Sequence, residues 1–250
     1  MKIGLIGSGN VAFHLATYFQ KKNICIKWIY GRNSTTVYEL CNLIATEPQF
    51  QLTKLPVVDV IIVCISDNAI QTVVEQLPSS ACILITSGTF DITNISLQKP
   101  NVGVLYPLQT FTKNAPLAVN EIPFIIEIKT QIVHSMMNQL ISSSELQTFP
   151  MNYAERKKIH LSAVFLNNFI NHLVCLIQEK SNKENIDFKI FNPLITETIR
   201  KIINQPAKEI QTGPAKRKDT QTITAHEQML EGNLLQLYQL FTKSILETYK

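Results

Sequence analysis

The sequence predicts an α/β protein in which a Rossmann-type parallel sheet domain at the N-terminus is followed by an all-α C-terminal domain. In the first part of the chain short apolar runs alternate with helical patterns, as in a parallel sheet covered by helices. The run "DVIIVCI" is continuously apolar after its first residue, as expected of a central strand with both faces buried. After Pro150 strand-like runs stop and helical patterns continue. We therefore predict two domains, residues 1–150 and 151–250.

The individual elements follow from the periodicity of the apolar residues. The predicted strands are Lys2–Ile6, Ile24–Tyr30, Val58–Ile65, Cys82–Thr86, Val102–Leu105 and Phe124–Ile128, and the predicted helices between them are Asn10–Gln20, Thr35–Ala45, Ala69–Leu77 and Thr130–Ser142. In the second domain, Asn152 with Glu155 three residues later predicts a capping box that begins a helix ending near Lys180. One or two helices are predicted in residues 183–205, and a single long one over residues 222–249.

The composition excludes several classes of protein. Of the 250 residues, 45% are hydrophobic and 17% are charged, which is typical of globular proteins. The net charge of +4 is diffuse, and the tight basic run Lys216–Lys218 lacks interleaved aromatic residues, so no nucleic-acid partner is expected. No segment reaches the roughly 18 uninterrupted apolar residues of a membrane helix, and the chain begins directly with a strand-like run. We expect a cytoplasmic protein with no signal peptide and no membrane partner.

The cysteines are predicted to be reduced core thiols, because they are odd in number, far apart and mostly set in apolar runs. They are Cys25, Cys41, Cys64, Cys82 and Cys175. No Cys-x-x-Cys pair and no Cys/His cluster has ligand spacing, so no metal is expected.

The first candidate site is the stretch "KIGLIGSGNVAF". Gly7, Gly9 and Ala12 form a G-x-G-x-x-A pattern between a strand and a helix. In dinucleotide-binding proteins the first glycine permits a tight turn, the second lets the backbone approach a pyrophosphate, and the small third residue keeps the helix close to the strand. The alternative is a turn that merely needs small residues. The cofactor-binding residues predicted here are Gly7, Ser8, Gly9, Asn10 and Val11.

The end of the second strand indicates which dinucleotide is bound. An acidic residue there would hold the ribose 2′-hydroxyl of NAD, but the strand ends in Gly31, Arg32, Asn33 and Ser34. Arg32 can pair with a 2′-phosphate, and Asn33 and Ser34 add donors, so NADP is favoured over NAD. The missing carboxylate also argues against S-adenosylmethionine. The alternative is a solvated arginine in a loop.

Two further strand ends are expected to complete the cofactor site, because ligands of open parallel sheets bind at the carboxyl ends of the strands. Ser66 and Asp67 follow the central strand, and Ser87 and Gly88 follow the next one. Both pairs are predicted to face the nicotinamide half of the cofactor. Helix capping is the alternative, and the two interpretations do not exclude each other.

A substrate site is predicted on the helix that begins near Asn152. Projected at 100° per residue, His160, Asn167 and Asn171 form one polar stripe on an otherwise apolar helix. Such a stripe faces either a satisfied interhelical network or a substrate cleft, since unpaired burial would be costly. Two loops are candidates for the same cleft. They are Thr212–Asp219, which contains Lys216 and a Gly-Pro turn and could otherwise cap the final helix, and Tyr106–Phe111, which contains Gln109 and Thr110.

Together the motifs "ISDNAI", "TSG", "YPLQTF", "ERKKIHLSAVFLNNFI" and "TGPAKRKD" resemble the Rossmann-like proteins with a DUF2520 C-terminal domain. More distantly the chain is similar to pyrroline-5-carboxylate reductase and to coenzyme F420-dependent NADP oxidoreductases. The resemblance implies an NAD(P)-binding domain and a helical domain that forms a dimer and closes the site. The residues that match the family pattern are Ser87, Gly88, Pro107, Leu108, Gln109, His160, Asn167, Thr212, Gly213, Pro214 and Asp219. Many members carry histidine at the positions of Ile85 and Tyr106, where this chain departs from the pattern.

These observations predict an NADP-dependent oxidoreductase that moves a hydride between the nicotinamide C4 and a small carbonyl or imine substrate, with NAD or F420 less favoured as cofactor. His160 is predicted to transfer the proton, because an imidazole gains and loses a proton near neutral pH. Asn167 and Thr212 are predicted to orient the substrate, and Lys216 is an alternative acid. The other hypothesis is a sensor or scaffold that binds NADP without turnover. The apolar C-terminal helices predict a homodimer.

Overall fold

The predicted strands assemble into one sheet. In the computed structural model, which describes residues 1–96, 99–113, 115 and 117–250, the strands are β1 (Lys2–Ile6), β2 (Cys25–Tyr30), β3 (Glu47–Gln49), β4 (Val60–Val63), β5 (Cys82–Ile85), β6 (Val102–Pro107), β7 (Pro123–Glu127) and β8 (Gln147–Pro150). Their order across the eight-stranded sheet is β3-β2-β1-β4-β5-β6-β7-β8. Every neighbouring pair is parallel except β6 and β7. The predicted fold class is thus confirmed.

Helices cover both faces of this sheet, and after β8 the chain contains helices and no further strand in the described residues. They are α1 (Asn10–Lys21), α2 (Ser34–Ile44), α3 (Asp67–Glu75), α4 (Thr93–Ser96), α5 (Gln131–Ser144), α6 (Tyr153–Ala163), α7 (Ile170–Lys183), α8 (Asn192–Asn204), α9 (Ala207–Ile210), α10 (Pro214–Arg217), α11 (Thr220–Gln228) and α12 (Gly232–Thr248). Single 3₁₀ turns lie at Leu52–Lys54, Val119–Glu121 and Phe188–Phe191. The capping box predicted at the start of α6 is confirmed, since Asn152 and Glu155 each accept a hydrogen bond from the other's backbone amide.

The core lies on the two faces of the sheet. Successive residues of β4 alternate between them: Val60 and Ile62 pack under α1, α2 and α5, whereas Ile61 and Val63 pack under α3. This explains the continuously apolar run, because a strand with helices on both sides buries every side chain.

Two strands were not predicted. β3 is only three residues long, and β8 is four; both lie at the edges of the sheet and each contains a proline. An edge strand needs backbone pairing on one side only and tolerates proline there, so it lacks the apolar pattern from which the central strands were predicted.

The chain separates into two compact units, Met1–Asn168 and Phe169–Lys250. This division falls later than the boundary predicted near Pro150, where β8 ends. The helix predicted from Asn152 is continuous to Lys183, but its middle, Val164–Phe169, is π-helical. By length and composition this helix could cross a membrane, with mean hydropathy 1.4 over an 18-residue window; a single such helix indicates little, because core helices of soluble proteins have the same properties.

Two other sequence predictions need correction. The single helix expected over residues 222–249 is two helices, α11 and α12, because the chain turns between them and Gly232 adopts φ +55°. Of the cysteines, Cys41, Cys64 and Cys82 are buried, and burial raises their pKa values to about 11, about 12 and about 11. Cys25 and Cys175 are exposed, so they are not core thiols; β2 and α7 turn those positions outward.

Candidate cofactor and substrate site

A cavity of about 830 Å³ opens at the carboxyl ends of β1, β2, β4 and β5. The parallel register brings these ends together, since Ile6 pairs with both Tyr30 and Val63, and Val63 pairs with Ile85. All but one of the predicted cofactor-binding residues line the cavity. They are Gly7, Ser8, Gly9, Asn10, Val11, Gly31, Arg32, Asn33, Ser66, Asp67 and Ser87. The exception, Gly88, packs beneath His160.

The glycine turn has the geometry that a pyrophosphate requires. Gly7 adopts φ +118°, and a Cβ on it would collide with the carbonyl of Cys64. Gly9 is the N-cap of α1, and no side chain caps the helix there. A Cβ on Gly9 would meet no atom within 4 Å, so this backbone borders open space. The N-terminal amides of α1 can therefore approach a phosphate group of a dinucleotide.

The end of the cavity beside β2 carries a positive charge. Arg32 is exposed and, within the part of the chain that the structure describes, makes no hydrogen bond or ion pair. Asn33 caps α2 by accepting from the Thr36 amide at 3.2 Å, which leaves its NH₂ group as a donor. The hydroxyls of Ser8 and Thr36 lie 2.7 Å apart and join the glycine turn to α2. This set of donors fits a 2′-phosphate.

The polar side chains in the turns after β4 and β5 differ in whether they make hydrogen bonds. Ser87 closes its own turn, because its Oγ accepts from the amides of Thr89 and Phe90 at 3.1 and 2.9 Å. Asp67 begins α3 and accepts a hydrogen bond from the Thr89 hydroxyl. Ser66 precedes that helix but makes no capping bond with its side chain. The Ser87 side chain thus closes a turn rather than caps a helix, and the Ser66 side chain does not cap α3.

A second cavity, of about 750 Å³, adjoins the first, since Asn10 and Val11 line both. Its walls come from β6 and the following loop and from the helix that carries His160 and Asn167. The lining residues are Asn10, Val11, Tyr106, Leu108, Gln109, Thr110, Phe111, Ile159, His160, Ser162, Ala163, Val164, Leu166, Asn167 and Asn168. The loop is tied to α1, because Asn10 Nδ2 donates to the Phe111 carbonyl at 2.8 Å. The sequence-predicted residues Gln109, Thr110, His160 and Asn167 are thus brought together.

Asn171, the third residue of the predicted stripe, does not line this cavity. A π turn holds more residues than an α turn, so residues after Val164 rotate by less than the 100° of the projection. Asn171 belongs to the second unit and does not line the cavity. The π-helical segment instead brings Asn168 into the lining beside Asn167.

The sequence placed Tyr106 at the start of a candidate loop but gave this side chain no role in the site. Its hydroxyl lies 3.1 Å from His160 Nδ1, and both rings pack against the backbone of Gly88. A Cβ on Gly88 would lie 2.7 Å from His160 Nδ1 and 2.8 Å from the Tyr106 ring, so only glycine admits this arrangement. Burial raises the pKa of Tyr106; Arg156 opposes this shift and Asp67 adds to it. The one sequence signal for a role of Tyr106 was its position at the end of a predicted strand, beside the strand that precedes the Ser87–Gly88 turn.

Arg156 was also missed. The run "ERKK" looks like a solvated helix face, yet Arg156 is 0% exposed. Its guanidinium donates to the carbonyls of Ser87 and Phe90 at 3.1 and 2.9 Å and pairs with Glu127 at 2.9 Å; its Nε has no partner among the described residues. Arg156 lies one helical turn before His160 and so fastens the helix of His160 to the turn that contains Gly88.

The remaining predicted residues lie in the second unit. Lys216 Nζ donates to the Gln211 carbonyl at 2.7 Å and lies 5.1 Å from the centre of the Tyr249 ring. Thr212 is exposed and borders an apolar cavity of about 440 Å³. Asp219 caps α11, accepting from the amide and hydroxyl of Thr222 at 3.1 and 2.8 Å. Of the two roles considered for the Thr212–Asp219 loop, capping is the one this carboxylate performs.

The sheet order and the glycine turn define a Rossmann-type fold, and comparisons with known proteins show the family. Residues 2–87 match the family described as NADP oxidoreductase, coenzyme F420-dependent, and residues 122–245 match the domain of unknown function DUF2520. A search of curated proteins finds no match. The chain is 32% identical to a solved structure from Bacteroides fragilis, provisionally named an NADP oxidoreductase, with 98% of each chain covered and a TM-score of 0.91. The chain belongs to this family of NADP oxidoreductases with a DUF2520 domain.

Two more distant structures share the fold. A Thermotoga maritima protein is 21% identical, with 99% of this chain and 98% of that chain covered and a TM-score of 0.71. Pyrroline carboxylate reductase from Plasmodium falciparum, solved with NADP bound, is 13% identical, with 100% of this chain and 98% of that chain covered and a TM-score of 0.61.

Proposed function

We propose that the protein transfers a hydride between the nicotinamide C4 of NADP and the carbon of a small carbonyl or imine substrate. The observation that carries this proposal is the adjacency of two cavities in the first unit. One is lined by the glycine turn and Arg32, and the other contains His160; they share Asn10 and Val11. Bound NADP would supply the hydride chemistry, and the protein supplies binding, orientation and a proton.

The preference for NADP rests on Arg32 and its surroundings. An arginine that has no hydrogen bond or ion pair with any described residue, beside the donors of Ser8, Asn33 and Thr36, matches a 2′-phosphate. No carboxylate follows β2 to select the 2′-hydroxyl of NAD.

Two lining side chains are assigned to the substrate. His160 moves a proton through its ring nitrogens, and the carboxamide of Asn167 orients the substrate by hydrogen bonding. Thr212 remains a proposed orienting residue. Lys216 is the weaker acid candidate, because its ammonium group already donates to the Gln211 carbonyl.

Cofactor choice is tested by calorimetry with NADP, NAD and F420. We expect NADP to bind most tightly and Arg32→Ala to weaken NADP binding by about 10- to 100-fold, the loss of one charge-assisted contact of about 1.5–3 kcal/mol, with little effect on NAD. Lys21→Ala is the matched control, because it removes an exposed positive charge at the far end of α1. A preference for NAD that survives Arg32→Ala would contradict the role of Arg32.

Turnover is tested by following NADPH absorbance with a panel of neutral and acidic ketones and imines. We expect oxidation of NADPH by at least one substrate and a loss of turnover in His160→Ala. Tight binding of NADPH without oxidation by any substrate would favour the sensor or scaffold hypothesis instead.

We further propose a homodimer formed by the helices of the second unit. Over residues 169–250, all of which the structure describes, the buried residues are Ser181, Ala215 and Thr242 only. No large apolar side chain of this unit is buried, although such burial is the main source of stability of a folded domain. A second copy is the partner always present in equal amount, and it can cover this surface on both chains at once.

The segment proposed to dock is α8. Its apolar residues Leu194, Ile195, Ile199, Ile202 and Ile203 share one face and are all exposed, whereas Glu197 forms ion pairs with Arg200 and Lys201 on the opposite face. The apolar cavity lined by Leu173, Leu234, Leu237 and Phe241 would receive α8 of the second copy in a reciprocal contact.

Light scattering after size exclusion tests the dimer. We expect twice the chain mass of 28.3 kDa for the natural protein, and the mass of one chain for Ile202→Glu. Asn204→Glu places the same charge on the polar face of α8 and should leave the dimer intact. Flotation of the protein with lipid vesicles, rather than a dimer, would indicate that the exposed apolar surface meets a membrane.

A further inference from the structure

We propose that Tyr106 is the proton donor of the second cavity and that His160 returns the proton to it. This inference rests on the proposed oxidoreductase function and names the groups through which its proton passes. Among the described residues that line the second cavity, Tyr106 and His160 are the two whose side chains carry an exchangeable acidic proton. The other polar lining groups are carboxamides and aliphatic hydroxyls, which do not supply protons at neutral pH.

The two groups already form a hydrogen-bonded pair. Tyr106 Oη lies 3.1 Å from His160 Nδ1, with ring centroids 5.9 Å apart. In one imidazole tautomer Nδ1 accepts the phenolic proton, and in the other it donates a proton to the phenolic oxygen. The same contact therefore serves both directions of transfer. His160 Nε2 has no hydrogen-bond partner among the residues that the structure describes and can exchange a proton with water.

The pair is held in place by the backbone beneath it. Gly88 contacts both rings, and the space that its missing Cβ leaves is taken up by His160 Nδ1 and the Tyr106 ring. Arg156 binds the carbonyl of Ser87 next to this glycine and lies on the helix of His160. Neither ring can shift towards the turn, so the phenol is directed at a fixed position, as an efficient proton donor requires.

The phenol is the form present before reaction. Burial raises the pKa of Tyr106, Arg156 acts in the opposite direction, and Asp67 adds to the rise, so the hydroxyl stays protonated at neutral pH. A carbonyl oxygen that gains charge during reduction is more basic than a phenolate and can take this proton.

In the proposed step the substrate receives a proton from Tyr106, and His160 replaces that proton. Bound NADPH would supply the hydride and two electrons for the new C–H bond at the substrate carbon, and the π electrons of the C=O or C=N bond would move to oxygen or nitrogen. That atom forms a bond to the proton of Tyr106 as the phenolic O–H bond breaks. The phenolate takes the Nδ1 proton of His160, and the imidazole regains a proton from water at Nε2. One proton from solvent is consumed for each substrate reduced.

The first test is steady-state kinetics of Tyr106→Phe, which removes the hydroxyl and keeps the ring. We expect kcat to fall by about 100-fold or more, the usual contribution of a positioned acid, while KM and the affinity for NADPH change by less than about threefold. Tyr38→Phe, on the exposed face of α2, is the control and should retain full activity. Tyr106→His, which keeps an exchangeable proton, should recover part of the activity with an altered pH profile.

The second test needs neither cofactor nor substrate. In protein labelled with ¹⁵N-histidine, the ring signals of His160, assigned through His160→Gln, report the hydrogen bond at Nδ1. We expect Tyr106→Phe to move the Nδ1 signal and Tyr38→Phe to leave it in place. A signal unchanged by Tyr106→Phe would overturn the pairing.

The outcomes separate this inference from the function on which it rests. Full kcat in Tyr106→Phe, in a protein that oxidises NADPH, would overturn Tyr106 as the donor and leave the oxidoreductase proposal standing. Absence of turnover in the natural protein with every substrate would overturn the proposed function, and this inference with it.

Discussion

The two compact units differ in where their apolar side chains lie. In the first, two buried clusters enclose the sheet, one beneath α1, α2 and α5 and the other beneath α3. In the second, described over its full length, large apolar residues such as Leu194, Ile203 and Leu240 lie at the surface. The first unit thus satisfies the hydrophobic effect by itself, whereas the second needs a surface to cover it. The candidate nucleotide site is therefore formed entirely by residues of one chain, whereas the exposed apolar surface of the second unit has no covering residues within its own unit.

Truncating one phenylalanine in each unit should give the largest difference in the free energy of unfolding. Phe19 is 0% exposed and Phe241 is 47% exposed. We expect Phe19→Ala to lower the free energy of unfolding by about 3–5 kcal/mol, because it leaves a cavity in a close-packed core. Phe241→Ala should cost only about 1 kcal/mol in a single chain, since half of that side chain is already in water.

Urea unfolding checks both values. Fluorescence of Trp28, the single tryptophan, follows the first unit, because this residue is fully buried there with its Nε1 donating to the Pro56 carbonyl. Circular dichroism follows the helices of both units. An equal cost at the two positions, independent of protein concentration, would remove the distinction between the units.

The next contrast concerns polar rather than apolar burial. Arg156→Ala removes the 2.9 Å ion pair of the buried Glu127 carboxylate, which keeps only the longer contact with Lys129 at 3.7 Å, so we expect a loss of about 3 kcal/mol in the stability of the first unit. Lys157→Ala, the neighbouring exposed position over the Tyr153 ring, should cost less than about 0.5 kcal/mol. The measurement is again Trp28 fluorescence in urea. Similar small costs for the two variants would mean that the buried pair does not fasten the helix to the sheet.

Features that depend on a local sequence pattern could be predicted from the sequence. The strands β1, β2 and β4–β7 and the glycine turn were predictable because their pattern is local: Gly7 and Gly9 follow a run of buried residues and precede a helix. Most of the predicted cofactor-binding residues meet in one cavity because parallel strands end at one edge of the sheet. Topology alone brings them together.

Features that depend on contacts between distant residues could not be predicted. Arg156 lies in a charged run, and only the packing of α6 onto the turn after β5 shows that it is buried. Tyr106 and His160 are 54 positions apart, and Gly88 joins them only in three dimensions. The π-helical segment Val164–Phe169 could not be predicted either, because a projection assumes one regular helix.

Helix caps give a smaller contrast between the units. The capping box at the start of α6 satisfies two backbone amides, through Asn152 and Glu155. We expect Asn152→Ala to lower the stability of the first unit by about 1 kcal/mol. Asn138→Ala, an exposed position inside α5, is the control and should be close to neutral. Unfolding in urea followed by Trp28 fluorescence measures both, and an equal effect of the two variants would show that the cap adds nothing.

The smallest effect is expected at the corresponding cap of the second unit, and it depends on pH. Hydrogen bonds from the backbone amide and hydroxyl of Thr222 hold the pKa of Asp219 below its usual range. A carboxyl with a lowered pKa in the folded state stabilises that state above its unfolded pKa, and this contribution disappears as the pH falls through the folded pKa. We therefore expect Asp219→Asn to be less stable than the natural protein at neutral pH, and the difference in stability to shrink as the pH falls below the usual pKa range of an aspartate. Thermal unfolding followed by circular dichroism between pH 7 and pH 2.5 measures the difference, with Glu231→Gln, at an N-cap without a side-chain bond, as the control. A difference in stability that stays constant with pH would mean that the shape of the Asp219 side chain, rather than its charge, stabilises the helix end. The second unit, which buries no large apolar side chain, would then gain no electrostatic stabilisation from this cap.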